Sequence, residues 1–154
     1  MTDATETLTG RRATGSPVQA AAAVVSLLFL LVGALGFVPG ITAGHDGLHA
    51  AGPDSHAELF GLFQVSGLHN VLHLVLGGVG LALTRTSASA RAYLLGGGAT
   101  YLVLCIYGLV VDTSSQANFV PLNGADNWLH LVLGVLMVGL GIALGRPGVA
   151  RRPR

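Results

Sequence analysis

The sequence predicts an all-α membrane protein: a four-transmembrane-helix bundle built from two helical hairpins with a parallel internal repeat. Three observations predict it. Only 10% of the 154 residues are charged while 51% are hydrophobic, against roughly 25% charged in an average soluble protein. Four apolar runs, at 18–38, 65–84, 92–112 and 127–145, each approach the ~20 residues that cross a bilayer. Two stretches, LHNVLHLVLG at 68–77 and ADNWLHLVLG at 125–134, repeat one pattern at constant spacing: Asn70 answers Asn127, Leu72 answers Leu129, His73 answers His130 and Gly77 answers Gly134.

Charge orients the runs. The eight basic residues are all arginine, and they fall in the N-terminal tail (Arg11, Arg12), between runs two and three (Arg85, Arg91) and after run four (Arg146, Arg151, Arg152, Arg154). The other two loops carry Asp46, Asp54, Glu58, Asp112 and Asp126 and no arginine. With Asp3 and Glu6 set against the arginines, one side carries +6 and the other −5, which together give the chain's +1. Positively charged loops stay cytoplasmic, so both termini are expected in the cytoplasm of a multi-pass inner-membrane protein. An even number of spans requires the same.

Residues 1–17, rich in Thr, Gly and Ala, read as a disordered cytoplasmic tail, residues 18–145 as the transmembrane domain, and 146–154 as a basic cytoplasmic tail against anionic lipid. The first run exceeds the 7–15 apolar residues of a signal peptide and no A-x-A site follows it, so it is expected to be retained. It stops at Gly36-Phe37-Val38-Pro39-Gly40. In the outer loop that follows, Ser55-His56-Ala57-Glu58 has the form of a capping box, which predicts a helix that lies along the interface or runs into span two. Phe60 and Phe63 suit the headgroup region, and Tyr93 and Trp128 suit the membrane boundaries as aromatic anchors. Asn123 is a good N-cap for span four, with Asp126 three residues on.

Residues three and four apart share a helix face. Ser66, Asn70, His73, Gly77, Gly80 and Thr84 follow that spacing down span two; Asn123, Asn127, His130, Gly134, Met137 and Gly141 follow it down span four. Polar and small side chains on one face mark the side turned to neighbouring helices, where glycine permits close approach. Ser66, His69, Asn70, His73, Asn123, Asp126, Asn127 and His130 are therefore expected to form a buried polar seam. Gly78/Ala82 and Gly141/Gly145 fit small-xxx-small spacing, which suggests a homo-oligomer through glycine-rich faces.

The seam admits three chemical readings. Asn and His can hydrogen-bond between helices and fix their register. His73 and His130, at equal distance from their helix starts, can serve as cofactor-binding residues that grip a haem from both faces or begin a metal site. Intramembrane ionisable groups also line routes for protons or small solutes. Structural pairing is the expected role, with haem- or metal-binding redox or transport function through His73 and His130 as the alternative. His45, His49 and His56 read as a solvated loop. Cys105, the single cysteine, sits inside an apolar run and excludes an intrachain disulfide. Gly96-Gly97-Gly98 lacks the strand and the Lys-Ser/Thr of a phosphate loop. No nucleophile–base or paired-carboxylate spacing points to an enzyme. The arginines hug the membrane, so lipid rather than nucleic acid is the expected partner.

The segments Gly36-Phe37-Val38-Pro39-Gly40-Ile41-Thr42, Leu62-Phe63-Gln64-Val65-Ser66 with Leu68-His69-Asn70 and His73-Leu74, Asn118-Phe119-Val120-Pro121-Leu122-Asn123, and Asp126-Asn127-Trp128-Leu129-His130-Leu131 resemble the small four-helix membrane proteins of high-GC Gram-positive bacteria catalogued as domain of unknown function 4383. The resemblance covers about residues 18–145 and leaves out the histidines of the first outer loop. It implies a fold and a bilayer location, and no activity.

Overall fold

The computed structural model describes residues 15–145; the expected tails lie outside that range except for residues 15–17, of which Ser16 caps α1 and Pro17 opens it. Four α-helices and one small sheet make up the described chain: α1 (Pro17–Leu35), β1 (Thr42–Ala43), a single 3-10 turn (His45–Gly47), β2 (Ala57–Leu59), β3 (Phe63–Val65), α2 (Gly67–Leu83), α3 (Ser87–Val110) and α4 (Gly124–Leu144). Three helices, α1, α3 and α4, are long and apolar enough to cross a membrane. With 17 residues, α2 spans about 25 Å at 1.5 Å per residue, the lower limit for a span.

Local chemistry sets each boundary. Pro17 stands at the first helical position, where its missing N–H costs nothing, and Gln19 Oε1 accepts from Ser16 N at 2.8 Å. Ser66 Oγ accepts from His69 N at 3.1 Å and starts α2. Thr86 Oγ1 accepts from Ser89 N at 3.1 Å and starts α3. Asn123 and Asp126 cap each other reciprocally at the start of α4, as their spacing predicted.

Two expectations are corrected. Ser55–Glu58 does not begin a helix. Ser55 Oγ instead accepts from His49 N and donates to Val65 O at 2.6 Å, and Ala57 and Leu59 turn inward from a strand. The residues after it cannot continue a helix: Leu62 N reaches back to Leu59 O through a turn whose central residues, Phe60 (φ 56°) and Gly61 (φ 66°), are both left-handed. The result is a three-stranded antiparallel sheet in the order β1-β2-β3, with Leu59 opposite Phe63. Tyr93, expected at the membrane boundary, is buried, and its hydroxyl donates to Leu76 O at 3.3 Å. The run expected at 92–112 extends back to Ser87 as helix, which places Tyr93 nearly two turns inside.

The tightest helix contacts run through glycine. A Cβ on Gly33 would strike the backbone of Asn70 and Leu74, and one on Gly77 would strike Ser26 O, so α1 lies close along α2. A Cβ on Gly98 would meet Gly134 O and Val138 N, so α3 lies equally close along α4. Gly141 packs on Leu94 and Leu95, whereas Gly78 faces open space. Between the helices sits a core of Val18, Ala22, Phe29, Ala90, Tyr93, Leu94, Tyr101 and Met137. The outward faces are just as apolar: Leu27, Leu31, Ile106 and Val135 are each more than half exposed. Water does not favour so large an apolar exterior; hydrocarbon does.

Candidate functional site

The polar seam divides into three working groups. Ser66, Asn123 and Asp126 serve helix starts, and Asn123 also ties α4 to the outer hairpin by donating from Nδ2 to Leu62 O at 2.8 Å. Asn70 and Asn127 cross helices: each side chain fills the space left by a missing Cβ, Asn70 at Gly36 and Asn127 at Gly108. Asn127 Nδ2 donates to Gly108 O at 3.0 Å.

The third group is a chamber. His69, His73, Asp126, His130 and Tyr101 line a cavity of about 200 Å³, whose wall is completed by Leu59, Phe60, Phe63 and Val65 of the β2–β3 hairpin. The hairpin is fixed above it because Asp126 Oδ2 accepts from Gln64 N at 3.1 Å as well as from Asn123 N at 2.9 Å. His69, Asp126 and His130 are each at least 95% buried.

Hydrogen bonds fix one proton in this group. His69 O can only accept, so His73 Nδ1, 3.0 Å away, carries the hydrogen. His73 Nε2 is then an acceptor, and Tyr101 donates its hydroxyl to it at 3.3 Å. His69 and His73 stack in parallel at 4.5 Å, and Tyr101 meets the His130 ring edge-on at 5.1 Å. The Nδ1 atoms of His69 and His130 are buried, with no hydrogen-bond partner among the described residues.

Both His73 nitrogens are therefore engaged, and Tyr101 packs against both histidines singled out for cofactor binding. Among the described residues, no three His, Cys, Asp or Glu side chains converge in a metal-binding arrangement. His45 donates from Nε2 to Phe37 O at 3.2 Å, while His56 and Asp54 border an open polar groove beside Gln64 and Asn123. Tyr101 was missed in the sequence. Its signal was there: a phenol in the middle of an apolar span, whose hydroxyl requires a partner away from lipid.

Residues 19–143 match the model of a family described as Domain of unknown function (DUF4383). The chain belongs to this family. The match takes in the chamber, the three-stranded sheet and nearly all of the four helices, so the site just described lies wholly within the family's domain. No curated protein and no solved structure matches the chain.

Proposed function

We propose that this DUF4383 protein is an integral inner-membrane protein, a four-helix bundle of two helical hairpins related by an internal repeat, with both termini cytoplasmic. In this reading the Asn/His seam works chiefly to lock each hairpin. One observation carries the reading: contacts between α1 and α2 recur between α3 and α4 on residues displaced by a fixed interval. Gln19 Nε2 donates to Thr84 O at 2.7 Å, and Arg91 Nε donates to Gly141 O at 3.1 Å. Leu30 sits against Gly77, and Leu102 sits against Gly134. Gly36 receives Asn70, and Gly108 receives Asn127. Phe29 leans on His73, and Tyr101 leans on His130. Every α1 residue in these pairs precedes its α3 counterpart by 72 positions, and every α2 residue precedes its α4 counterpart by 57.

The repeat supports the locking role because the recurring contacts lie between helices; of the two seam asparagines, Asn127 hydrogen-bonds across to Gly108, whereas Asn70 packs at Gly36 with no hydrogen-bond partner among the described residues. Interhelical hydrogen bonds in membranes contribute about 0.6–2 kcal/mol each. Asn127→Ala removes the bond to Gly108 and is expected to destabilise the purified protein by that amount, read from denaturant-induced unfolding. An Asn127→Ala protein as stable as the parent would sink the pairing role. The orientation has its own test. A fluorescent-protein fusion after Arg154 is expected to fold and fluoresce, and an alkaline phosphatase fusion there to be inactive; the reverse pattern overturns the topology.

A further inference from the structure

The chamber beneath the β2–β3 hairpin has features that helix pairing leaves unused. We propose that it is a binding site for a neutral, mostly apolar molecule of the lipid phase whose carbonyl oxygens accept hydrogen bonds, of the substituted-quinone class.

Size comes first. An apolar protein cavity of about 150 Å³ holds benzene; at about 200 Å³ this one accommodates a single substituted ring. The wall is apolar and partly aromatic, with Leu59, Phe63, Leu129 and Leu133 facing the polar groups. Ligand pockets combine such a wall with a few placed polar atoms.

Those atoms define the chemistry. His69 and His130 are 5% and 4% exposed, line the cavity, and have Nδ1 atoms sealed away with no partner. A neutral imidazole carries one N–H. Placed on Nδ1, that hydrogen would be a buried N–H without an acceptor, a rarer arrangement in proteins than an under-satisfied acceptor. The favoured tautomer puts it on Nε2, and each ring then has a donor left to give. Among the described residues neither ring hydrogen-bonds to a protein acceptor through Nε2; the His69 ring stacks on His73, and Tyr101 meets the His130 ring edge-on while its hydroxyl points to His73. The group these donors fit is an acceptor oxygen. No lysine or arginine among the described residues lines the cavity, so a carboxylate or phosphate would be buried without a counter-charge, and a neutral carbonyl fits where they do not.

The approach lies on the hairpin. Phe60 lines the chamber yet is 61% exposed, and its neighbour Leu62 is 53% exposed. Phe60 is also the one non-glycine residue with positive φ among the described residues. A strained, apolar turn forms the outer rim, suited to a molecule arriving from lipid.

The test uses the full chain in phospholipid nanodiscs and two probes of one shape. Tetramethyl-1,4-benzoquinone carries two carbonyls; 1,2,4,5-tetramethylbenzene has the same ring and methyls without them. The four methyls leave the quinone no free ring position for addition of the Cys105 thiol. The quinone is expected to raise the melting temperature more than the hydrocarbon does, and its carbonyl infrared band to move to lower frequency than in protein-free nanodiscs. His69→Leu and His130→Leu are expected to bring the two probes to parity. Equal shifts from both probes in the parent protein would reduce the chamber to an apolar hole. No shift from either, with an unmoved carbonyl band, would make it a water pocket. Both outcomes overturn the proposal, and the infrared measurement needs no variant to fold. The lipid source rests on the membrane reading above; failure of that reading would show in the topology fusions and leave this assay intact.

Discussion

Phe29 and Tyr101 stack with ring centroids 5.3 Å apart and planes 23° from parallel, and each also presents itself to a histidine of the next helix in the chain. The stack joins α1 to α3 at the inner wall of the chamber. The two residues differ by one hydroxyl, and that hydroxyl reaches across to His73.

Tyr101→Phe therefore removes a single atom and leaves His73 Nε2 unpaired. The variant is expected to keep its helices, since phenylalanine preserves the stack, and to lose about 0.6–2 kcal/mol of stability. Circular dichroism checks the first outcome and unfolding in increasing sodium dodecyl sulfate the second.

Glycine substitutions are expected to split into two classes. Gly33→Ala and Gly98→Ala drive a methyl into the backbone of the facing helix, within 3 Å, and overpacking of this kind costs about 1–3 kcal/mol. Gly78→Ala and Gly139→Ala meet nothing within 4 Å and gain up to about 1 kcal/mol from helix propensity. Unfolding of all four variants under one set of conditions separates the classes. If Gly78 instead faces a second copy of the chain, Gly78→Ala will change the oligomeric state measured by light scattering.

Asp126 holds the hairpin to α4 by accepting from Gln64 N, and the same oxygen accepts from Asn123 N at the start of α4. Asp126→Ala is expected to keep the Asn123 cap, which bonds the backbone N of residue 126, but to lose the carboxyl's bonds to Asn123 N and Gln64 N, about 0.5–1.5 kcal/mol each, and to release β3. Limited proteolysis from the outer side should then cut within residues 57–65, where the parent protein resists. Asp126→Asn retains an acceptor oxygen and should protect the hairpin more than alanine does.

Asp112, in the exposed turn after α3, accepts from Ser114 N at 2.9 Å and Ser114 Oγ at 2.7 Å, which holds its carboxyl below the ordinary carboxylate range. A depressed carboxyl stabilises the turn above its unfolded pKa, and the contribution is lost as pH falls through the folded value. Amide exchange at Ser114 should therefore quicken, relative to neighbouring turn amides, in acid below about pH 4. In Asp112→Asn that acid step should be absent.

The helices were legible because lipid-crossing segments must be apolar along their whole length. The buried faces of α2 and α4 were legible because Asn, His and Gly recur at helical spacing. Asn123 with Asp126 was readable as a cap for the same local reason. The sheet was not. Ser55-His56-Ala57-Glu58 satisfies a helix-start pattern, and what decides against it is distant: Ser55 bonds to Val65 and to His49, and β2 lies between two partners. Tyr93 was misplaced because a Ser/Ala stretch reads equally as loop or helix, and only packing chooses.

The sequence by itself determined that this chain is apolar enough for a bilayer, where its helices run, and that two of them carry matching Asn/His faces. Those are properties of composition and period, which each segment carries alone. Tertiary structure decided that His73 is satisfied, that Nδ1 of His69 and of His130 has no partner among the described residues, and that Tyr101 reaches both His73 and His130 beneath a hairpin pinned by Asp126. Hydrogen-bond satisfaction depends on what lies within about 3 Å across different helices, a distance that spacing along the chain does not record.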